Sequence, residues 1–568
     1  MDRRTLLALL LTAIVIVITP MLFPSPRRQP VARDTAAATT PDGTPDTVPQ
    51  RPAVPPAQPP TTAPPAVGAA PSVQTARAET TLVRTQHAAY AIVSPGGTPA
   101  NVTLPEYRSL RPGSAADAQV RLLEPNDRLF RLALASDRDT IALDTVAFRA
   151  GPQRREGDVI VQPFTSMTST VPITLTYRFH VDSFVVGVDG SLGGSTDVAG
   201  RRLLVTLPTR IRSEEADVGD DTRHLAIAYT RRVNEVDNVS FRDLDTLVAR
   251  VDTGTIRWVS ARNKYFVVAV IPAGRDSTFR AIVSRGGQRS GSEATAALST
   301  AHLPLTGTNF SLRVYAGPQS WDHLRKTAAS LENVNPYGGW MHGLVQPFST
   351  IVMRMLLWMR RTFDVGYGWV LVMFGIAVRL LLWPLNQNAM RSSMKMQRLQ
   401  PELAEIQKKY RDNPERQRDA IMKLYQDHGM SPFSPLLGCL PMLLPMPILF
   451  ALYFVFQNTI EFRGVPFLWL PDLSLKDPFY ITPLFMGVSM FVLSWIGMRG
   501  VPPTPQGKMM SYVMPVMFTV LFWNFASGLN LYYAVQNVAA LPQQWLLARE
   551  RTSNKGPEPP KGTKRDKK

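Results

Sequence analysis

Four long apolar runs in the C-terminal third of this 568-residue chain constrain its fold most strongly. They cover residues 369–385, 436–456, 479–498 and 509–547. A helix needs about 20 apolar residues to cross the hydrocarbon core of a bilayer, so each of the first three runs is about one crossing long. The fourth is too long for one crossing, and the sequence NFASG at 524–528 supplies a turn near its middle. The runs predict a five-helix membrane core over residues 365–548.

A sixth crossing is predicted at the N-terminus. Two arginines precede an apolar run that begins at Leu6 and extends through Phe23, and no small-x-small cleavage site directly follows it. We therefore expect an uncleaved membrane anchor over residues 1–24; a cleaved signal peptide is the alternative. Residues 25–78 are rich in Pro, Ala and Thr, a composition that cannot bury a core, and they predict a disordered linker.

Residues 79–331 show a period of two. In VPITLTYRFHV at 171–181 every odd position is apolar and nearly every even position is polar, as in a strand with one buried face. Similar runs occur at 129–134 and 265–271, with turn residues between them. Because helical patterns do not alternate with these strands, we predict a large all-β antiparallel sandwich.

Residues 332–364 predict an amphipathic helix in the membrane interface. Arg354 and Arg361 lie away from its apolar face, and Pro347 suits its first turn. The apolar positions follow helical spacing: Phe348, Ile351, Val352, Met355, Leu356, Met359 and Phe363. A helix facing a soluble core is the alternative.

The segment over residues 386–435 predicts a basic helical hairpin. Pro401 can open a first helix, DNP at 412–414 breaks it, and a second apolar stripe follows. The side chains proposed to contact a partner form an adaptable apolar and aromatic set beside basic charge. They are Met390, Met394, Met396, Tyr410 and Tyr425. The alternative is a solvated hairpin whose two stripes pack on each other.

Basic residues predict the orientation in the membrane. The chain carries 62 Lys and Arg against 44 Asp and Glu, a net charge of +18. Positive charge concentrates in the hairpin and in the tail over residues 549–568, and Arg499 and Lys508 connect the third and fourth runs, whereas the connection between the second and third runs has only Arg463 and Lys476. Positive loops stay in the cytoplasm, so both termini are predicted cytoplasmic and residues 25–364 lie on the opposite side. The tail suggests contact with anionic lipid or ribosomal RNA, or a solvated end that only fixes topology.

Arg379 lies inside the first of the four long runs, and those runs contain no Asp or Glu. A charge at the centre of a spanning helix costs about 3 kcal/mol on insertion scales, which makes it a functional-site hypothesis. Water, backbone carbonyls or a visiting anion could accompany it, and snorkelling towards the interface near Trp383 is the alternative. The polar and aromatic side chains expected to line a wet cavity with it are Tyr532, Tyr533, Asn530, Gln536 and Asn537. They could instead be interhelical hydrogen-bond partners, and Gln543 and Gln544 are assigned to the interface.

Signatures of an enzyme are missing from the sequence. It contains no Walker, H-E-x-x-H or G-x-S-x-G motif, and its histidines include no pair at helical ligand spacing. The single cysteine, Cys439, permits no disulfide framework within one chain. We expect no catalytic residues, no metal site, no cofactor and no nucleotide hydrolysis.

Six strings identify a family resemblance. They are VRLLLWPL at 378–385, MKMQRLQP at 394–401, GCLP at 438–441, MPILFALY at 446–453, PFLWLPDLS at 466–474 and SGLNLYY at 527–533. In this order and spacing the chain resembles the YidC-type membrane protein insertases over about residues 340–547. Residues 258–272 and 315–318 resemble, more loosely, the large periplasmic domain of Gram-negative members.

The resemblance implies a bacterial inner-membrane protein that inserts and folds nascent membrane proteins, alone or with the Sec translocon. It implies that Arg379 is the positive charge of a hydrophilic groove and that Tyr533 contacts the incoming segment. Nascent membrane proteins, the Sec translocon, the ribosome and anionic lipids are the expected partners, and DNA is not. Positions that are often polar in relatives are Gly375 and Pro445 here, so other side chains would keep the groove wet.

Two other functions are weighed against this one. A small-solute or anion transporter could use Arg379 as a binding site, but the repeated halves typical of transporters are not found in the sequence. The β region could be a carbohydrate-binding module or an enzyme, although no acid pair at recognisable spacing supports that.

Overall fold

The computed structural model describes residues 79–553 except for 138, 169–171, 194–200, 233–234, 275–276, 291–292, 336, 338–341, 412, 428–445 and 500–508. The predicted anchor over 1–24 and linker over 25–78 lie outside these residues, as do Pro445 and the tail beyond Ser553. We call residues 79–331 the β domain and residues 342–553 the helical domain.

The described part of the β domain contains 22 strands, numbered in chain order. They are β1 Thr80–Arg84, β2 Ala89–Val93, β3 Thr98–Arg108, β4 Gln119–Arg121, β5 Arg131–Ala135, β6 Thr140–Ala142, β7 Phe148–Ala150, β8 Arg154–Glu156, β9 Val159–Ser166, β10 Ile173–His180, β11 Val185–Leu192, β12 Arg202–Thr206, β13 Ala226–Arg232, β14 Glu235–Ser240, β15 Arg250–Ile256, β16 Trp258–Arg262, β17 Phe266–Pro272, β18 Phe279–Gly286, β19 Arg289–Ser290, β20 Glu293–Ala294, β21 Ala297–Pro304 and β22 Asn309–Pro318.

Two large antiparallel sheets form the body of the β domain. The larger has the order β14-β13-β16-β17-β22-β11-β10-β9-β7, with β8 also paired to β9, and the second has the order β15-β18-β21-β12-β5-β6. Strands β1 to β4 form a separate sheet, and β19 and β20 form a hairpin. One buried apolar cluster contains side chains of both large sheets, including Tyr177 of the larger and Leu203 of the smaller. The prediction of an antiparallel β-rich domain is confirmed.

The three runs that the sequence singled out, 129–134, 171–181 and 265–271, coincide with strands β5, β10 and β17. In β10 the side chains of Ile173, Leu175, Tyr177 and Phe179 are buried and alternate with more exposed neighbours. Strand β17 differs, because all of its residues are buried. The ring of Phe266, at its start, contacts Tyr107 and the guanidinium of Arg463, so other parts of the chain cover this strand.

The helices of the described residues are numbered in the same way. They are α1 Val218–Arg223, α2 Trp321–Thr327, α3 His342–Phe363, α4 Tyr367–Arg398, α5 Gln400–Lys409, α6 Pro414–Asp427, α7 Met446–Asn458, α8 Ile481–Gly497, α9 Met514–Leu521 and α10 Ser527–Ser553. Short 3-10 turns cover Leu143–Thr145, Phe241–Asp243, Leu331–Asn333, Ile460–Phe462 and Phe522–Asn524, and a π-helical turn covers Met509–Val513.

Helix α4 is longer than the sequence predicted. Its 32 residues span about 48 Å, and it continues past residue 386, where the basic hairpin was expected to begin. A change from apolar to basic composition does not end a helix when no breaker follows. Within the described residues one helix, over Tyr367–Gln387, is long and apolar enough to cross a membrane, and Ile481–Gly497 and Ser511–Asn524 are shorter apolar helices. The count of six crossings stays a prediction.

The turn expected inside the fourth apolar run is present. Helix α9 ends at Leu521, a 3-10 turn covers Phe522–Asn524, and α10 begins at Ser527. A second buried cluster joins these helices to α3, α4, α7 and α8, with Phe374, Leu452 and Tyr532 among its members. This packing places α4 beside α10, and the candidate site lies between them.

Candidate functional site

A cavity of about 170 Å³ lies between α4, α7, α8 and α10. Helix α4 contributes Val378, Arg379, Leu382 and Asn386, and α10 contributes Tyr532, Tyr533, Gln536, Asn537 and Ala540; Ile448 and Leu493 complete the lining. The structure thus brings together five of the six residues that the sequence suggested for a groove. Their role in binding remains a proposal.

Arg379 is half-buried in this cavity, and its partner is a neutral amide. Its Nη2 donates to Oε1 of Gln543 at 2.8 Å, and Nε2 of Gln543 donates to the carbonyl of Trp383 at 3.0 Å. Within the described residues Arg379 forms no ion pair, and its Nε makes no hydrogen bond. The charge is therefore oriented by one hydrogen bond but not neutralised.

The sequence assigned Gln543 to the membrane interface and missed its contact with Arg379. Its side chain is buried, with a relative exposure of 1%, and it forms the hydrogen bond that holds Arg379. A signal in the sequence could have found it, because Tyr532, Gln536, Ala540 and Gln543 recur at the spacing of one helix face. Three of these four residues line the cavity, and Gln543 follows them on the same face.

Gln536 and Asn537 line the cavity and also connect helices. Nε2 of Gln536 donates to the carbonyl of Gly375 at 2.8 Å and to the hydroxyl of Tyr532 at 3.0 Å. Nδ2 of Asn537 donates to Oγ of Ser489 at 3.1 Å and to the carbonyl of Met486 at 3.3 Å. The two interpretations that the sequence left open are therefore both compatible with this geometry.

Tyr532 and Tyr533 form an aromatic wall of the cavity. Their rings meet edge to face with centroids 5.4 Å apart, and Tyr533 meets Phe522 in the same way at 5.4 Å. Tyr532 is buried and packs against Phe374, whereas Tyr533 is only partly buried. Tyr533 is thus the more accessible of the two rings.

Asn530 does not line the cavity, so its placement beside Arg379 was wrong. It is fully buried, and its Nδ2 donates to the carbonyl of Phe522 at 3.1 Å. That bond closes the turn between α9 and α10. Its role here is structural, since a buried carbonyl in a 3-10 turn needs a donor.

Gly375 allows the close approach of α4 and α10. A Cβ at this position would lie 3.0 Å from Cγ1 of Val535 and 3.7 Å from the ring of Tyr532. The backbone carbonyl of Gly375 instead accepts the hydrogen bond of Gln536. The polar group beside position 375 is therefore supplied from α10.

Among the hairpin side chains that the structure describes, Tyr410 and Tyr425 do not line this cavity. Met390, Met394 and Met396 belong to α4, but their side chains lie outside the described part of the structure. Tyr425 on α6 is buried, and Tyr410 is half-buried after the end of α5. Nε2 of Gln417 donates to the carbonyl of Gln407 at 3.2 Å, which connects α6 to α5.

The chemistry of the site is that of binding. Its described lining combines one cation, three amides, two phenols and apolar side chains, and it includes no Ser, Cys or His that could serve as a nucleophile or base. Among the described residues no cluster of His, Cys, Asp and Glu could hold a metal ion. Such a site attracts an anionic or polar group and places apolar groups beside it.

Two family models match the chain. The model described as 60Kd inner membrane protein matches residues 358–555, and the model described as YidC periplasmic domain matches residues 80–351. The first match contains the cavity, and the second contains the β domain.

Curated relatives carry a common name. The membrane protein insertase YidC of Prosthecochloris aestuarii is 31% identical over 428 residues, which is 70% of this chain and 70% of that protein. The protein of the same name from an Anaeromyxobacter species is 37% identical over 306 residues, 52% of each chain. A crystal structure described as an active YidC insertase with the first transmembrane domain resolved is 19% identical, with a TM-score of 0.34, over 83% of this chain and 93% of that one.

Proposed function

Because the chain belongs to the YidC family of membrane protein insertases, we propose that it inserts and folds nascent inner-membrane proteins through the cavity around Arg379. Family membership also makes it an inner-membrane protein in which residues 80–351 form a periplasmic domain. In this proposal it is an insertase and chaperone that acts without nucleotide hydrolysis, alone or together with the Sec translocon.

The neutral partner of Arg379 is the observation that carries the proposal. Gln543 orients the guanidinium through one hydrogen bond and leaves its full positive charge in place. Opposite charges attract more strongly beside apolar helices than in water, so an acidic group of a client chain would be drawn to this position. A resident carboxylate would occupy the same position and neutralise the charge.

The remaining side chains suit a client that arrives and then leaves. A polar cavity lowers the cost of several kcal/mol for each polar group that must cross hydrocarbon. The exposed part of Tyr533 offers an aromatic surface to apolar client side chains. Those side chains would then partition into lipid, since burial in hydrocarbon stabilises them by roughly 25 cal/mol per Å². This gain in free energy on entering lipid gives insertion its direction, so nucleotide hydrolysis is not required.

The proposed topology has six crossings, both termini in the cytoplasm and α3 in the periplasmic membrane interface. The exposure of large apolar side chains on α3, Ile351, Trp358 and Phe363, supports contact with lipid. Arg354 lies over the ring of Trp321 in the β domain, and Arg361 pairs with Asp322. Helix α3 would therefore meet lipid on one side and the periplasmic domain on the other.

The proposed cytoplasmic partners follow from basic charge. The exposed residues Arg411, Arg416 and Arg418 on the hairpin and Arg549 on α10 would face anionic lipid or the ribosome. The Met residues and Tyr410 of the hairpin would contact apolar segments of nascent chains or of the Sec translocon. Tyr425, which the sequence included in this set, is buried and is therefore left out of the proposed contact.

Site-specific photocrosslinking tests the proposal. A photoreactive amino acid is placed at Tyr533, and a matched control at Val538, which lies on the same helix outside the cavity and is 43% exposed. Ribosomes carrying a stalled two-span client are then added to membranes. We expect strong crosslinks to the client from position 533 and weak ones from 538. An anion transporter would instead give no client crosslinks and would show an Arg379-dependent anion flux in liposomes.

A further inference from the structure

The loop that connects α7 to α8, residues 459–480, inserts a buried arginine into the β domain. The side chain of Arg463 is 3% exposed and that of Glu215 is 7% exposed. Nε of Arg463 donates to both carboxylate oxygens of Glu215, at 2.8 and 3.0 Å. Nη1 donates to the carbonyl of Arg108 at 3.0 Å, and Nη2 donates to the carbonyl of Glu214 at 3.1 Å. The guanidinium also lies over the ring of Phe266, 5.4 Å from its centroid.

Neighbouring residues of the same loop are seated in the β domain as well. Ile460 is buried and belongs to the apolar cluster of the β domain. Oε1 of Glu461 accepts a hydrogen bond from Oγ of Ser320 at 3.2 Å. Ile460, Glu461 and Arg463 therefore all insert into the β domain, whereas Phe462 packs in the buried cluster of the helical domain.

The other end of the loop holds the start of α10. The backbone N–H of Ser527 donates to the carbonyl of Leu475 at 2.7 Å, and that of Gly528 donates to the carbonyl of Leu473 at 3.0 Å. Oγ of Ser527 donates to the carbonyl of Asp472 at 3.1 Å. A Cβ on Gly528 would lie 2.8 Å from Phe456 and 3.1 Å from the carbonyl oxygen of Leu473, so loop and helix are in direct contact. Helix α10 carries Tyr533, Gln536 and Gln543.

We propose that Arg463 is a positioning residue that latches the connecting loop into the β domain and thereby fixes the first turn of α10. These contacts of Arg463 with Glu215 and with the carbonyls of Arg108 and Glu214 are called the latch. The latch sets the separation of α4 and α10 at the cavity. Its importance for insertion rests on the proposed function, whereas its existence as a mechanical connection does not.

The chemistry of the latch requires arginine. The planar guanidinium presents its donors in a fixed fork, which here bonds one carboxylate and two carbonyls at once. A lysine ammonium supplies one point charge and cannot reach all three acceptors in this geometry. Removing one member of a buried pair leaves an uncompensated charge, whereas replacing both by apolar residues of similar size is often tolerated.

Double electron–electron resonance on the full-length protein in lipid nanodiscs tests the latch. The natural Cys439 is first replaced by serine, and spin labels are attached to exposed positions. One pair, Arg154 and Leu381, reports the distance between the β domain and α4. The second pair, Leu381 and Val538, reports the distance between α4 and α10. No client is present, so this test is independent of insertion activity.

We expect a single narrow distribution for both pairs in the parent protein. Arg463→Gln should broaden both distributions, and Arg463→Lys should have an intermediate effect. Arg361→Gln is the matched control, because Arg361 also pairs with the β domain, through Asp322, but its side chain is 65% exposed. This control should leave both distributions unchanged.

The double variant Arg463→Met/Glu215→Met covers the case in which Arg463→Gln does not fold. It removes the latch without leaving a buried unpaired charge, and it should broaden both distributions in the same way. An α4–α10 distribution that stays as narrow as in the parent protein, in a folded variant without the latch, would overturn the proposal.

Discussion

At the scale of single residues, Arg379 is oriented without being neutralised. An amide and a carboxylate of nearly the same shape differ only in charge, and the chain has the amide at position 543. Hydrogen bonds that involve a charged group are worth about 1.5–3 kcal/mol. Loss of such an interaction with a client corresponds to roughly a tenfold or greater change in rate.

The first prediction separates charge from shape at position 379. Arg379→Gln should slow insertion of a two-span client into proteoliposomes by roughly tenfold or more, and Arg379→Lys should retain part of the activity because the cation remains. The swapped variant Arg379→Gln/Gln543→Arg restores a cation and an amide at the same contact, and partial recovery is expected. Equal loss in the Gln and Lys variants would contradict a role based on charge.

The sequence identified the charge but not its partner. An intramembrane arginine is conspicuous in one run of residues, whereas its contact with Gln543 joins positions 164 residues apart and depends on how α4 packs on α10. Asn530 was misplaced for a related reason. Its polarity is visible in the sequence, but only the turn at Phe522 shows that its donor is already used.

At the scale of elements, the contact between α4 and α10 depends on the absence of a side chain at Gly375. Gly375→Val should destabilise the protein by about 1–3 kcal/mol, the usual cost of overpacking, because its Cβ would press on Val535. The change is measured as a lower thermal unfolding temperature in detergent. Val535→Ala should restore much of the loss in the double variant. A Gly375→Val protein as stable as the parent would show that the two helices are not closely packed.

Helix α10 continues to Ser553, beyond the boundary at residue 548 expected from hydropathy. The guanidinium of Arg549 lies over the ring of Trp545, 4.6 Å from its centroid, so a truncation should start after Ser553. Truncation there should weaken ribosome binding and flatten its dependence on salt, because fewer cations then release counterions. The matched control is a full-length variant in which the lysines and the arginine of residues 554–568 are changed to glutamine. It should show the same weaker ribosome binding and the same flatter salt dependence as the truncation. Unchanged binding in both would refute a role for the tail.

Local pattern predicted some elements well and others poorly, for physical reasons. A period of two is a direct consequence of strand geometry, so β10 was recognisable from its letters alone. Strand β17 is a continuous apolar run that is buried on both faces, but the sequence does not show which distant segments cover it. The hairpin was expected to begin at residue 386, yet α4 continues to Arg398, because a change from apolar to basic composition does not by itself end a helix.

At the scale of the whole molecule, the β domain and the helical domain share a buried interface that contains carboxylates. Burial raises the pKa of Glu461 from its ordinary value of 4.5 to about 7. Between pH 4.5 and pH 7 the folded protein therefore keeps a proton on Glu461 that the unfolded chain has released. The contribution of the Glu461 side chain to the free energy of unfolding is fully present below pH 4.5 and is lost as the pH rises through 7. The total loss is roughly 3 kcal/mol at most.

This predicts a pH-dependent unfolding temperature. Between pH 5 and pH 8 the protein should become less stable, and Glu461→Gln, which keeps a neutral side chain at every pH, should show a shallower decline. The measurement is thermal unfolding in detergent across this range. Identical slopes for the parent and the variant would mean that Glu461 is not protonated in the folded state.

The most direct test of the central claim introduces the missing carboxylate. Gln543→Glu places a resident anion on Arg379 with almost no change of shape, and Gln544→Glu adds the same charge at the next residue, whose amide packs against Gly497. The measurement is the rate of client insertion into proteoliposomes containing each folded variant. We predict that Gln543→Glu slows insertion as strongly as Arg379→Gln, while Gln544→Glu stays close to the parent. Insertion at the parent rate in Gln543→Glu would contradict the claim that an uncompensated charge at Arg379 receives the client.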